Sequence, residues 1–187
     1  NRKGLSIILI MALPSDKMVI NSGEKIDLSA LLAGEILCLP FEFRLKDFSP
    51  GKGYADIEPI GDVIIDGRII NNEGYIRLEA VLTMHYRTAC ARCAVELERT
   101  LHVPVERVIA TQAQVEGAED ADDYLILEGE ALDLAPLATE EVYLGLPMRE
   151  LCSEDCRGLC PKCGKNLNEG PCSCPEREPD PRLAILS

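Results

Sequence analysis

The sequence predicts an α+β protein: an antiparallel β-sheet or partial barrel, one main helix and a C-terminal cysteine-rich zinc-knuckle segment. Three observations predict it. Several stretches between 35 and 109 alternate apolar and polar residues with a period of two. The segment 133–146 is the best helix candidate, with its own start and stop signals. Six of the nine cysteines crowd into 151–175, at spacings that suit a metal better than disulfides.

The opening segment NRKGLSIILIMALPSD has a basic start and a short apolar run. It superficially resembles a secretory signal, but the run is far shorter than the ~20 apolar residues that a membrane-spanning helix needs. The chain does not begin with Met, and Met11 and Met18 lie just downstream. Residues 1–17 are therefore set apart as an N-terminal extension, and its first ten residues are either an upstream addition or a first strand.

In EILCLPFEFRL, 35–45, the residues Leu37, Leu39, Phe41, Phe43 and Leu45 fall on one face of a strand. Pro40 points to an edge or a bulge. Cys38 reads as a small buried hydrophobe. SPGKG, 49–53, is a loop. IINNEGYIRL then reads as a hairpin in which Asn71, Asn72 and Gly74 can supply the positive-φ turn positions. In the next strand Ile76, Leu78, Ala80, Leu82, Met84 and Tyr86 alternate with polar neighbours, as in a half-buried antiparallel strand. After the CARC motif, Val95, Leu97, Leu101, Val103 and Val105 share one face. CARC thus lies at the turn between two long strands.

Residues 116–130 hold seven acids and no base. They read as a solvated loop leading to a short strand at 124–127, or as an acidic lip for a basic partner. In DLAPLATEEVYLGL, Asp133 can cap, Pro136 falls in the first turn, and Gly145 with Pro147 ends the helix. Leu134, Leu137, Ala138 and Val142 form much of its buried stripe. The expected division is a sheet-plus-helix domain over 18–150 and a zinc-binding tail over 151–187, packed on that domain.

Structural zinc takes four N or S ligands in a closed tetrahedron. The tightest local set is Cys160, Cys163, Cys172 and Cys174. Gly164 lets the backbone turn so that amides can face sulfur. Cys152 and Cys156 remain, and the chain's other paired thiols are Cys90 and Cys93. Two plus two makes a second site, Cys90, Cys93, Cys152 and Cys156. Another division stays open, with Cys156 replacing Cys172 or Cys174. The expected cofactor is two structural zinc ions, although iron also suits four thiolates. His85 and His102 have no partner at ligand spacing and read as strand residues. Neither begins the H-x-E of a zinc deaminase, and no nucleophile elbow, P-loop or dinucleotide fingerprint occurs. An enzyme is not expected.

The formal charge of −13 disfavours strong binding to a phosphate backbone and suits a basic partner. Arg87, Arg92 and Arg99 near the CARC hairpin are nevertheless candidate RNA contacts. The zinc-like cysteines favour a reduced, cytoplasmic setting, and no membrane partner is expected.

CARC at 90–93, DL…EEVYLGLP at 133–147, the cysteine segment 151–174 and DPRLAIL at 180–186 together resemble the YceD family, the large ribosomal RNA subunit accumulation protein. The resemblance begins near residue 17. All eight paired cysteines match its motif position by position. It implies bacterial or plastid origin, a role in large-subunit biogenesis and accumulation of 23S rRNA, and genomic association with the gene of a small zinc-containing ribosomal protein. The expectation is a non-enzymatic factor that binds a ribosomal protein or a precursor particle, with direct RNA contact also open. The alternative is a redox-regulated zinc chaperone or sensor.

Overall fold

The computed structural model describes residues 17–51, 54, 56–115 and 124–175. The N-terminal run and most of the acidic stretch, 116–123, lie outside the described residues.

The strands follow the period-two pattern. They are β1 (Met18–Asn21), β2 (Ile26–Asp27), β3 (Cys38–Leu45), β4 (Glu58–Pro59), β5 (Val63–Asn72), β6 (Tyr75–Ala89), β7 (Glu96–Thr111), β8 (Tyr124–Leu127) and β9 (Ala131–Leu132). Two single turns, α1 (Ser29–Leu32) and α2 (Gln112–Val115), accompany the main helix α3 (Ala135–Gly145). The main sheet runs β1-β3-β5-β6-β7-β8, with β4 also paired to β6, while β2 and β9 form a separate ribbon. The class is α+β, mostly sheet.

The sheet is not wholly antiparallel. β1 runs parallel to β3, and β8 parallel to β7. Between them β3, β5 and β6 pair antiparallel. β6 and β7 also run in opposite directions, because Thr83 meets His102 while His85 meets Thr100.

Two compact units divide the chain. One takes the described residues of 1–49, 59–86 and 100–146; the other takes those of 50–58, 87–99 and 147–187. In the first unit the alternating faces close into an apolar core. Phe41 and Phe43 of β3, Ile65 and Ile69 of β5, and Leu78, Leu82 and Met84 of β6 are fully buried. Each such side chain contributes roughly 1.5–3 kcal/mol by leaving water. Gly67 of β5 lies tight against β6: a Cβ there would sit 2.3 Å from the Glu79 carbonyl oxygen and 2.4 Å from Ala80 Cβ.

Helix α3 starts where Asp133 accepts the Ala135 N–H at 2.9 Å, with Pro136 in the first turn. Leu134, Leu137, Ala138 and Val142 are buried as the pattern predicts. Glu141 is buried as well and pairs with Arg107 of β7.

Three local expectations are corrected. The β5–β6 turn places its positive φ at Glu73 (52°) and Gly74 (93°), not at the asparagines. Asn71 instead accepts the Gly74 N–H through Oδ1 and donates from Nδ2 to the Leu31 carbonyl. Cys38 is exposed rather than buried. β3 begins at Cys38, and Leu37 outside it is 66% exposed, so the buried stripe of β3 starts only farther along the strand. Pro40 sits in an interior strand, but β1 spans only Phe41 to Arg44, so that flank is locally an edge.

Candidate metal centres

CARC closes the β6–β7 hairpin with a knuckle whose bonds are fixed by position. The Cys90 N–H donates to the Val95 carbonyl at 2.8 Å, and the Ala94 N–H donates to the Cys90 carbonyl at 2.8 Å. Cys160 repeats this: its N–H donates to the Lys165 carbonyl at 2.8 Å, and the Gly164 N–H returns to the Cys160 carbonyl at 2.9 Å. Both turns need a left-handed residue at the fifth position, Ala94 (φ 58°) and Gly164 (φ 73°). The turn aims amides at sulfur, those of Arg92 and Cys93 at Cys90 and those of Lys162 and Cys163 at Cys160.

The eight paired thiols gather into two tetrads, Cys90, Cys93, Cys152, Cys156 and Cys160, Cys163, Cys172, Cys174. Within each, the sulfurs lie within 4.8 Å of one another. A tetrahedral ion with metal–sulfur bonds of ~2.3 Å separates its sulfurs by about 3.8 Å. Cys90 and Cys156 stand 3.8 Å apart, Cys93 and Cys152 3.6 Å, and Cys160 and Cys172 3.4 Å. Donor number, type and spacing therefore fit a closed four-coordinate site at each tetrad. When bound, a metal would supply charge compensation and a cross-link.

The electrostatics agree with that fit. Burial opposes ionisation of Cys90, but N–H groups of Cys152, Cys93 and Arg92 pull its thiol down to about 6. The N–H groups of Cys163 and Lys162 pull Cys160 down to about 6 as well. The Val95 N–H pulls Cys93 down, yet burial and the thiols of Cys90, Cys152 and Cys156 push it up to about 12. The Cys163 thiol, burial and Cys160 push Cys174 up to about 12. Ionising all four thiols of a tetrad at this range is opposed by their mutual repulsion, which a bound cation would offset.

Cys90, Cys93 and Cys156 form a small buried cluster of their own, against which Leu97 and Leu151 pack. In the tail tetrad Cys160 is buried, Cys172 and Cys174 are half-buried, and Cys163 is exposed.

The three singled-out arginines have partners within the protein. Arg87 faces Glu58, Glu96 and Glu98. Arg92 donates to the carbonyls of Glu154 and Cys156 at 3.0 and 2.9 Å. Arg99 donates to the Leu151 carbonyl and pairs with Glu150. Sequence reasoning missed two members of the site. Ala94 was legible only by aligning CARC-A on CPKC-G. Asn168 carries no ligand spacing in the sequence, yet its Nδ2 donates to Cys156 Sγ at 3.3 Å.

The fold and site define an α+β protein with two four-cysteine clusters, each of which could hold a metal ion. Residues 78–187 match the model of the family described as large ribosomal RNA subunit accumulation protein YceD, and the chain belongs to that family. It is similar to the uncharacterized protein YlbN of Bacillus subtilis, 26% identical over 133 residues, which cover 71% of this chain and 76% of that protein. An uncharacterized Mycobacterium tuberculosis protein is 32% identical over 98 residues, 52% of this chain and 47% of its own length. The chloroplastic YCED homolog 1 of Arabidopsis thaliana is 34% identical over 53 residues, 28% of this chain and 16% of that protein. No solved structure matches. Among the described residues, no helix is long and apolar enough to cross a membrane.

Proposed function

We propose that this chain is a non-enzymatic, zinc-stapled cytoplasmic factor in large ribosomal subunit biogenesis. It supports accumulation of 23S rRNA by binding a basic ribosomal protein or a precursor particle. The single observation that carries the non-enzymatic part is the closure of both tetrads. Eight thiols meet as two sets of four, and a four-sulfur site has no open position for substrate or water. The family description supports the ribosomal setting. The charge of −13 favours a basic protein over bare RNA, as do the internal partners of Arg87, Arg92 and Arg99.

Affinity capture of the full chain from cells should enrich large-subunit precursors or a basic ribosomal protein, more weakly at high salt. Recovery of neither sinks the proposal. RNA recovered from protein-free mixtures, and lost on charge reversal of Arg87 and Arg92, would shift it to direct RNA contact.

One observation favours a second reading, a redox-regulated zinc chaperone. Cys163 is exposed in the tail tetrad, where an oxidant can reach it. Mild peroxide should then release zinc and switch on the holding of unfolded clients. Retention of zinc under peroxide removes this reading.

A further inference from the structure

The two tetrads are close in sequence at one point. Only Arg157, Gly158 and Leu159 separate Cys156 of the hairpin tetrad from Cys160 of the tail tetrad. This link is held on both sides. The Leu159 N–H donates to the Arg92 carbonyl at 3.1 Å, inside CARC, while the Gly158 carbonyl accepts the Leu167 N–H at 2.9 Å, inside the tail loop. Gly158 is left-handed (φ 73°), and a Cβ there would stand 3.0 Å from the Arg92 carbonyl oxygen.

Asn168 completes the connection. It rides on a single 3-10 turn, Leu167–Glu169, in the loop between Cys163 and Cys172. Asn166 fixes it by accepting its N–H at 3.0 Å and its Nδ2 at 2.8 Å. Its Oδ1 accepts the Arg157 N–H at 2.8 Å, and its Nδ2 donates to Cys156 Sγ at 3.3 Å. A side chain belonging to the tail loop thus touches a sulfur of the other tetrad.

We infer that Asn168 is a positioning residue that couples the two centres, so that metal in the tail tetrad tightens metal binding by the hairpin tetrad. The coupling rests on the metal reading above. Closing the tail tetrad orders the loop between its two cysteine pairs, and the ordered loop presents Nδ2 to Cys156. A donor to a ligating sulfur orients the ligand and tunes the metal, and losing such a partner typically costs 10–100-fold in affinity. By linkage, metal in the hairpin tetrad tightens the tail tetrad to the same degree.

Cobalt titration of the reduced, metal-free full chain tests this through sulfur-to-cobalt charge-transfer absorption. Cys90→Ser and Cys160→Ser identify the band of each tetrad. Wild type should take up two cobalt ions. Asn168→Asp keeps the acceptor for Arg157 but loses the donor to Cys156. It should still bind two, with hairpin-tetrad affinity reduced about tenfold or more and that tetrad's band moved to longer wavelength. Cys160→Ser should weaken the hairpin tetrad by a similar factor, and the double variant should be no weaker than either. Asn168→Ser checks that an added carboxylate is not the cause, and should reproduce the loss. Unchanged hairpin affinity and band in both Asn168 variants overturn the coupling while leaving the metal reading intact. A wild type that takes up no cobalt overturns both.

Discussion

Ala94 occupies in the CARC knuckle the backbone position that Gly164 occupies in the CPKC knuckle. The two share the left-handed φ, 58° and 73°, and the same N–H return to the first cysteine of their motif. An L-residue with a Cβ pays roughly 1–2 kcal/mol for that conformation, partly offset by glycine's larger entropy loss on folding. Ala94→Gly should therefore stabilise the protein by about 0.5–1 kcal/mol, read as a higher denaturation midpoint at unchanged slope. A loss of stability would mean that the Ala94 methyl makes contacts outweighing its strain.

Metal content checks the assignment of thiols to centres. Wild type should hold two ions per chain, Cys90→Ser one, and Cys160→Ser one. Two ions retained in Cys90→Ser would remove the hairpin thiols from the ligand set. Chelation should also unfold the smaller unit, whose buried cluster is Cys90, Cys93 and Cys156 with Leu97 and Leu151 against it. A core of that size is too small to stand without a cross-link. Amide exchange at 87–99 and 150–174 should rise on metal removal more than at Val63–Asn72.

Burial raises the Glu141 carboxyl above the 4.5 of an ordinary glutamate, although Arg107 opposes the shift. The folded protein then binds this proton more readily than the unfolded chain. Stability from this group is present below the unfolded value of 4.5 and is lost as pH rises through the folded value. Glu141→Gln keeps an acceptor for Arg107 and removes the titration. Thermal unfolding across the mildly acidic range should show wild type gaining on the variant as pH falls towards 4.5. Parallel pH profiles would refute the shift.

Gly67 is where the sheet has no room. It pairs with Phe41 on one side and Ala80 on the other, and an added Cβ would overlap the Glu79 carbonyl. Gly67→Ala should cost about 1–3 kcal/mol, as overpacking of a close-packed interior does. Gly74→Ala, where the added Cβ would meet no other residue's atoms within 4 Å, tests conformation without crowding. At its φ of 93° it should also destabilise the hairpin, but by turn strain and not by forcing strands apart. Equal stability of Gly67→Ala and wild type would contradict the packing described.

Much of this fold was legible because the buried faces of β6 and α3 obey single periods. Ile76, Leu78, Leu82, Met84 and Tyr86 needed only alternation, and α3 needed only Asp133, Pro136 and Pro147 as punctuation. The grouping of thiols followed from counting, since a closed site wants four sulfurs and the spacings supply pairs. The parallel partners of β3 and β7 were not legible, because strand order depends on distant residues and leaves no local pattern. Cys38 was misread for a related reason: alternation marks a face, but not where along a strand that face stops being covered. The burial of Glu141 was hidden because its partner, Arg107, is 34 residues away.

The hairpin tetrad takes its sulfurs from positions 59 and 66 residues apart, Cys93 with Cys152 and Cys90 with Cys156. A ribosome makes them in that order. At ~5–20 residues per second, the growing chain carries CARC for roughly 3–12 s before the completing thiols exist. For that interval Cys90 and Cys93 have no partner thiols from the later segment. Slowing translation between codons 94 and 151 should lengthen this interval, and alkylation of nascent chains should then label Cys90 and Cys93 more heavily.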